Sequence, residues 1–233
     1  MKAFVLNLKR RKDRKDHVKA QLPEYFETYF TSDWDGPMDG KSLTAEMLEE
    51  HGFSLFPWEL KSKNRWWNRP MSKGEIGCSI SHWLCWKKAA TFDDPHYVFL
   101  EDDVRLSPTF GDDLPGVVAR LSAFDQAWDL LFLGRCPQET DEERIGEFIK
   151  PGFSYGTHAY MLSRAGVDKL LATRFPSDLI PADELLPAMY GDHPRADVRA
   201  RYPKSLRAYS VAPLLCFVEH QLGSDIMDSG SVP

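Results

Sequence analysis

The chain has 233 residues, 42% of them hydrophobic and 12% aromatic, enough for one sizeable core, and its formal net charge is -6. That acidity argues against a nucleic-acid binder, which needs a broad cationic face. The basic residues crowd instead into positions 9–15, which suits a small anionic ligand, while acids gather at 101–103 and 139–143. Cys78, Cys85, Cys136 and Cys216 form no paired framework and read as reduced thiols. The opening residues are strand-like and no long apolar run follows, so the expectation is a cytoplasmic protein with no membrane span.

In chain order, residues 3–8 read as a strand and 10–21 as a basic helix, which puts Asn7, Arg10, Arg11 and Arg14 at the strand's exit. Residues 25–31 fit a second strand, 33–40 a loop, and 42–50 a short helix stopped by Gly52. Residues 53–70, with Trp58, Trp66 and Trp67, have no clean period and read as a structured loop. Ser72 and Glu75 have the spacing of a capping box and open a helix over 73–90. In that helix Ile76, Ile80 and Trp83 face a sheet, and Gly77 and Ser81 permit close packing. Cys78 reads as core, and His82 as either donor-facing or structural.

Residues 97–101 form a strand whose first four positions are apolar or aromatic without alternation, as expected of a strand covered on both faces. A helix over 114–123, a strand over 128–133, an acidic loop, a strand over 157–163 and a helix over 164–172 follow. A helix over 182–190 and a last strand over 207–217 complete the pattern. Alternating strands and helices predict one α/β domain over residues 1–222, a mostly parallel sheet flanked by helices. Residues 223–233 form a C-terminal tail or a flap on the acceptor side.

Three consecutive carboxylates, Glu101, Asp102 and Asp103, leave the buried strand together. Their oxygens suit a hard divalent cation, Mg²⁺ or Mn²⁺. A solvated acidic turn is the competing reading, and position decides against it, because open α/β sheets bind ligands at the carboxyl ends of their strands. The arginine forks suit phosphate oxygens. No glycine-rich Walker or dinucleotide fingerprint is present, and a phosphoryl-accepting receiver would need acids where these arginines stand. Asp183 and Glu184 sit near a helix start, where a carboxylate can stay ionised and act as general base. His220, after an apolar strand, is a candidate third metal ligand.

Eight collinear motifs carry a resemblance. Val5-Leu-Asn-Leu-Lys-Arg-Arg-Lys-Asp-Arg14, Asp39-Gly-Lys41, Gly74-Glu-Ile-Gly-Cys-Ser-Ile-Ser-His82 and Leu100-Glu-Asp-Asp-Val104 resemble elements of glycosyltransferase family 25. Residues 128–135 and 154–163 continue it, and 181–194 with 212–220 resemble the procollagen galactosyltransferase branch. The resemblance implies a GT-A fold that uses UDP-galactose and Mn²⁺ (or Mg²⁺) with inversion. It implies Asp103 as the direct metal ligand, Glu101 on the same side of the strand end, and His220 completing the set. Asp102 would turn toward the ribose or the sugar. Asn7, Leu8, Arg11, Arg14 and Asp39 would line the UDP pocket, and Asp183 would be the base.

The acceptor so implied is hydroxylysine of a collagen-like protein, with a lipopolysaccharide or other glycan as alternative. A non-catalytic sugar-nucleotide-binding module is the competing class. Two departures bear on the site: Lys9 replaces the family's acid, and Gly156-Thr-His-Ala159 alters the residues expected around the sugar. The animal enzymes' upstream domain and retention tail are not in this sequence, so the expectation is a microbial or viral version.

Overall fold

The computed structural model describes residues 1–226. In chain order the strands are β1 (Lys2–Leu6), β2 (Glu27–Phe30), β3 (His96–Glu101), β4 (Val104–Leu106), β5 (Leu130–Pro137), β6 (Glu143–Ile145), β7 (Phe148–Lys150), β8 (Ser154–Ser163), β9 (Ala208–Val211) and β10 (Cys216–Val218). The helices are α1 (Lys12–Lys19), α2 (Ala45–Glu50), α3 (Lys73–Ala89), α4 (Phe110–Phe124), α5 (Arg164–Leu171), α6 (Ala182–Tyr190) and α7 (Ala196–Arg201).

Eight strands form one sheet in the order β2-β1-β3-β8-β5-β9-β7-β6, and β10 pairs with β4 apart from it. Six of the eight run one way, with β8 and β7 against them, so the sheet is mixed but mostly of one direction. The unalternating strands are explained by cover on both faces. Phe4, Phe99, Phe132 and Tyr160 pack beneath residues of α3, α5 and α6, including Ile76, Trp86, Val167 and Leu185. Val5, Val98, Leu131 and Met161 point the other way, toward Val18 of α1 and Leu114, Val117 and Leu121 of α4. The result is a single GT-A-like domain.

Two features place the site. β1 and β3 are parallel neighbours with Leu6 opposite Glu101, so Asn7 and the three acids emerge at one edge. α3 begins with the expected capping box: Ser72 Oγ accepts from the Glu75 amide at 3.1 Å, and Glu75 accepts from the Ser72 amide at 2.6 Å. Gly77 lets this helix approach the 38–40 loop, where a Cβ would stand 2.2 Å from the Met38 carbonyl oxygen.

The last expected strand, 207–217, is two strands in two sheets. Pro213 offers no N–H to a ladder, so β9 ends at Val211 and the chain crosses to pair β10 with β4. The expected acidic loop holds the hairpin β6–β7, turned at Gly146 with φ +62°. β6 is exposed and charge-rich, and each of the two strands is only three residues long, too short for an alternation to announce it. Of the expected tail, residues 223–226 lie on Arg11 and Arg14 at the start of α1, and 227–233 are outside the described residues.

Candidate active site

On the expected donor side, Thr31 fixes Asn7 by accepting from its amide (2.8 Å) and donating to its carbonyl (2.9 Å). Asn7 Nδ2 then donates to Asp102 Oδ2 at 2.8 Å, and Arg14 Nη1 to Asp102 Oδ1 at 2.6 Å. Asp102 borders the donor-side hollow, but both its oxygens are spent on these neighbours, so it organises the wall. Asn7, Leu8, Arg14 and Asp103 line the same hollow. Asp39 lies at the rim, accepting from Arg10 Nε at 2.8 Å.

Arg10 and Arg11 each donate to one oxygen of Asp225 at 2.5 Å, and Arg14 donates to the Gly223 carbonyl at 2.6 Å. The chain's own carboxylate thus occupies the arginine cluster, leaving a hollow of only about 70 Å³. Pockets that enclose small molecules are usually at least ~300 Å³. Among the described residues, Asp225 is a neighbour the motifs did not announce.

Asp103, the expected metal ligand, stands at the exit of β3. Its Oδ1 is buried without a partner, while Arg14 stands 3.5 Å from Oδ2. Burial, and then the charge of Glu101, push the Asp103 carboxyl up to about 7, and burial also raises Glu101. Two crowded carboxylates with an orphaned oxygen fit a hard cation. His220 does not join them: the Glu219 amide donates to the Asp103 carbonyl at 2.6 Å, but the His220 side chain is exposed, and among the described residues it makes no three-ligand cluster with Glu101 and Asp103.

Next to this lies a larger cleft of about 330 Å³, lined by Trp58, Trp66, Tyr155, Glu75, Glu101 and Asp183 among others. One oxygen of Asp183, Oδ1, accepts from the Gly156 amide (3.0 Å), the Thr157 amide (2.9 Å) and the Thr157 hydroxyl (3.1 Å). The same hydroxyl reaches Glu101 Oε1 at 2.8 Å. Having one hydrogen, it can serve only one carboxylate at a time. Burial, and then Glu101, push Asp183 up to about 6.

Glu184 has a different role. Its Oε1 accepts from Trp67 Nε1 and Tyr155 hydroxyl, both at 2.9 Å, and its Oε2 lies 2.6 Å from His193 Nε2. It ties the tryptophan loop to α6 and sets the cleft wall. Sequence reasoning missed this network and the Thr157 bridge, because positions 67, 155, 184 and 193 meet only in three dimensions. The His82 ring is fully buried, with Nδ1 2.8 Å from the Tyr160 hydroxyl and Nε2 without a hydrogen-bond partner, and burial lowers its pKa to about 4.

Residues 1–186 match the family model described as glycosyltransferase family 25 (LPS biosynthesis protein). The chain is 33% identical over 225 residues to the Bos taurus protein named probable inactive glycosyltransferase 25 family member 3. It is 32% identical over 228 residues to procollagen galactosyltransferase 1-A of Xenopus laevis, and 30% over 226 residues to procollagen galactosyltransferase 2 of Homo sapiens. These matches cover 94%, 95% and 94% of this chain but 37%, 36% and 35% of the relatives, so the chain spans little more than a third of their length.

Proposed function

The chain belongs to glycosyltransferase family 25, and from that premise we propose that it is an inverting, metal-dependent galactosyltransferase using UDP-galactose, with hydroxylysine of a collagen-like protein as acceptor. One observation carries the reading: Asp183 and Glu101, the acceptor-side and metal-side acids, meet at the single Thr157 hydroxyl. That closeness supports the reading of Asp183 as the base beside the carboxylate that would hold the metal.

The acceptor oxygen attacks the anomeric carbon as the bond from that carbon to the diphosphate oxygen breaks. The acceptor's proton passes to Asp183, whose Oδ1 is held by two amides and leaves Oδ2 to receive it. Arg11 and Arg14 take the diphosphate once Asp225 yields, and they balance charge on departing UDP. A divalent cation held by Glu101 and Asp103, with His220 as the third ligand the family resemblance implies, would supply Lewis-acid stabilisation of that leaving group.

The cleft itself favours a cationic acceptor, since Glu101 and Asp183 line it, whereas Glu75 is paired with Arg69 and Glu184 is taken up by Trp67, Tyr155 and His193. A hydroxylysine ammonium group suits that field better than an anionic glycan does. The glycan reading keeps one support, the Trp58, Trp66 and Tyr155 surfaces against which a sugar face can stack.

UDP release tests this, measured with several UDP-sugars, with and without Mn²⁺, and with a hydroxylysine collagen peptide or a lipopolysaccharide core as acceptor. Release is expected with UDP-galactose, metal and the peptide together. Release with the glycan alone transfers the reading to that acceptor. No release with either returns the chain to a sugar-nucleotide-binding role.

A further inference from the structure

We propose that Cys78, His82 and Glu101 form a second cation site, of the zinc-binding kind, which shares only Glu101 with the hard-cation carboxylates. The inference concerns these three side chains and stands whether or not the chain transfers a sugar. Cys78 and His82 are one turn apart on α3 and therefore share a face, and β3 delivers Glu101 opposite them. One sulfur, one imidazole nitrogen and one carboxylate oxygen lie within 4.8 Å of one another. His82 Nε2 is 3.7 Å from Glu101 Oε1. Bonds of about 2.0–2.3 Å in a tetrahedral site set ligand atoms roughly 3.3–3.8 Å apart, so the nitrogen–oxygen pair is already in place and the sulfur needs to close by at most ~1.5 Å.

A second observation points independently to a ligand. His82 is fully buried and its Nε2 has no hydrogen-bond partner. Its other nitrogen is anchored on the Tyr160 hydroxyl at 2.8 Å, and Trp86 Nε1 fixes that hydroxyl at 2.9 Å. Glu101 is likewise held by Thr157 at 2.8 Å. Outer groups that orient ligand side chains in this way are characteristic of metal sites. Cys78 borders both the donor-side hollow and the larger cleft, so an ion and a fourth, exchangeable ligand can reach the site. The sulfur–nitrogen–oxygen donor set selects Zn²⁺ or Co²⁺ over Mn²⁺ or Mg²⁺. Because Glu101 cannot serve both sites at once, a thiophilic cation here withdraws it from the carboxylate pair.

Co²⁺ titration of the purified full chain tests the site by its spectrum. Expected are the intense visible bands of a four-coordinate ion and a sulfur-to-cobalt charge-transfer band in the near ultraviolet. Cys78→Ser, close in shape, removes the charge-transfer band, and Cys136→Ser leaves it unchanged. Tyr160→Phe weakens Co²⁺ binding by about 10–100-fold through loss of the anchoring hydroxyl. X-ray absorption of the zinc-loaded wild-type chain shows one sulfur in the first shell, a reading that needs no variant to fold. Six-coordinate cobalt without the band, a band that survives Cys78→Ser, or a shell of nitrogen and oxygen only overturns the proposal.

Discussion

A single hydroxyl, Thr157 Oγ1, governs how two acids share the cleft, and the proposed chemistry turns on the one that faces the acceptor. Asp183→Asn keeps the amide contacts at Oδ1 but cannot take a proton. The expected result is a kcat lower by about 10²–10⁴ with donor KM unchanged, the usual worth of a positioned base. Steady-state kinetics on both substrates check it, and wild-type kcat in this variant would mean that the base is another group. Arg14 acts through stability as well. Its side chain is 6% exposed against Asp102 at 7%, with Asp103 close by. Arg14→Ala strands those buried carboxylates and should cost about 3–5 kcal/mol in urea unfolding. Adding Asp102→Ala should recover part of that loss, because the two sites are in contact. Asn7, Arg14, Glu101 and Asp103 were legible in the sequence because each sits beside a strand exit in a short motif. The Thr157 bridge and the Glu184 network were not, since neither has any local spacing.

At the scale of elements, legibility followed local chemistry. The capping box opened α3 where Ser72 and Glu75 stand, and α6 spans the expected 182–190 because Pro181 precedes it. Pro213 was a readable breaker inside the last strand that the apolar run masked. The segment beyond β10 was not legible at all: nothing in Gly-Ser-Asp-Ile announces that Asp225 will lie on Arg10 and Arg11. There it stands where the proposed diphosphate would go, a carboxylate in place of a phosphate on guanidinium forks. Donor binding must then displace it. Asp225→Ala removes the competitor and should tighten UDP binding by about tenfold, the worth of one charge-assisted hydrogen bond of ~1.5 kcal/mol. Isothermal titration with UDP reads this directly. Weaker binding in the variant would show instead that Asp225 belongs to the donor site.

Across the whole molecule, the site is a concentration of buried negative charge that the fold holds against its own stability. Burial comes first among the causes that raise Glu101, Asp102, Asp103 and Asp183. A carboxyl raised in the folded state binds protons more tightly there than in the unfolded chain, whose value is 3.8 for aspartate. These acids therefore destabilise the fold above the raised values, about 7 for Asp103 and about 6 for Asp183, and cease to do so as pH falls toward 3.8. Buried histidines act with the opposite sign. His82 and His158 are lowered to about 4, so stability is lost as pH falls from 6.5 toward 4 and the unfolded chain takes up protons. The two trends overlap, so the melting temperature of the protein alone cannot separate them. The shift produced by Mn²⁺ can, because the histidine contribution is common to both measurements and cancels. Mn²⁺ should raise Tm most above pH about 7, where Asp103 is ionised, and progressively less as pH falls through 6 and protons compete for the same oxygen. Asp103→Asn should abolish the shift at every pH. Thermal melts with and without Mn²⁺ across this window decide the matter, and a shift independent of pH, or one that survives Asp103→Asn, would place the cation elsewhere.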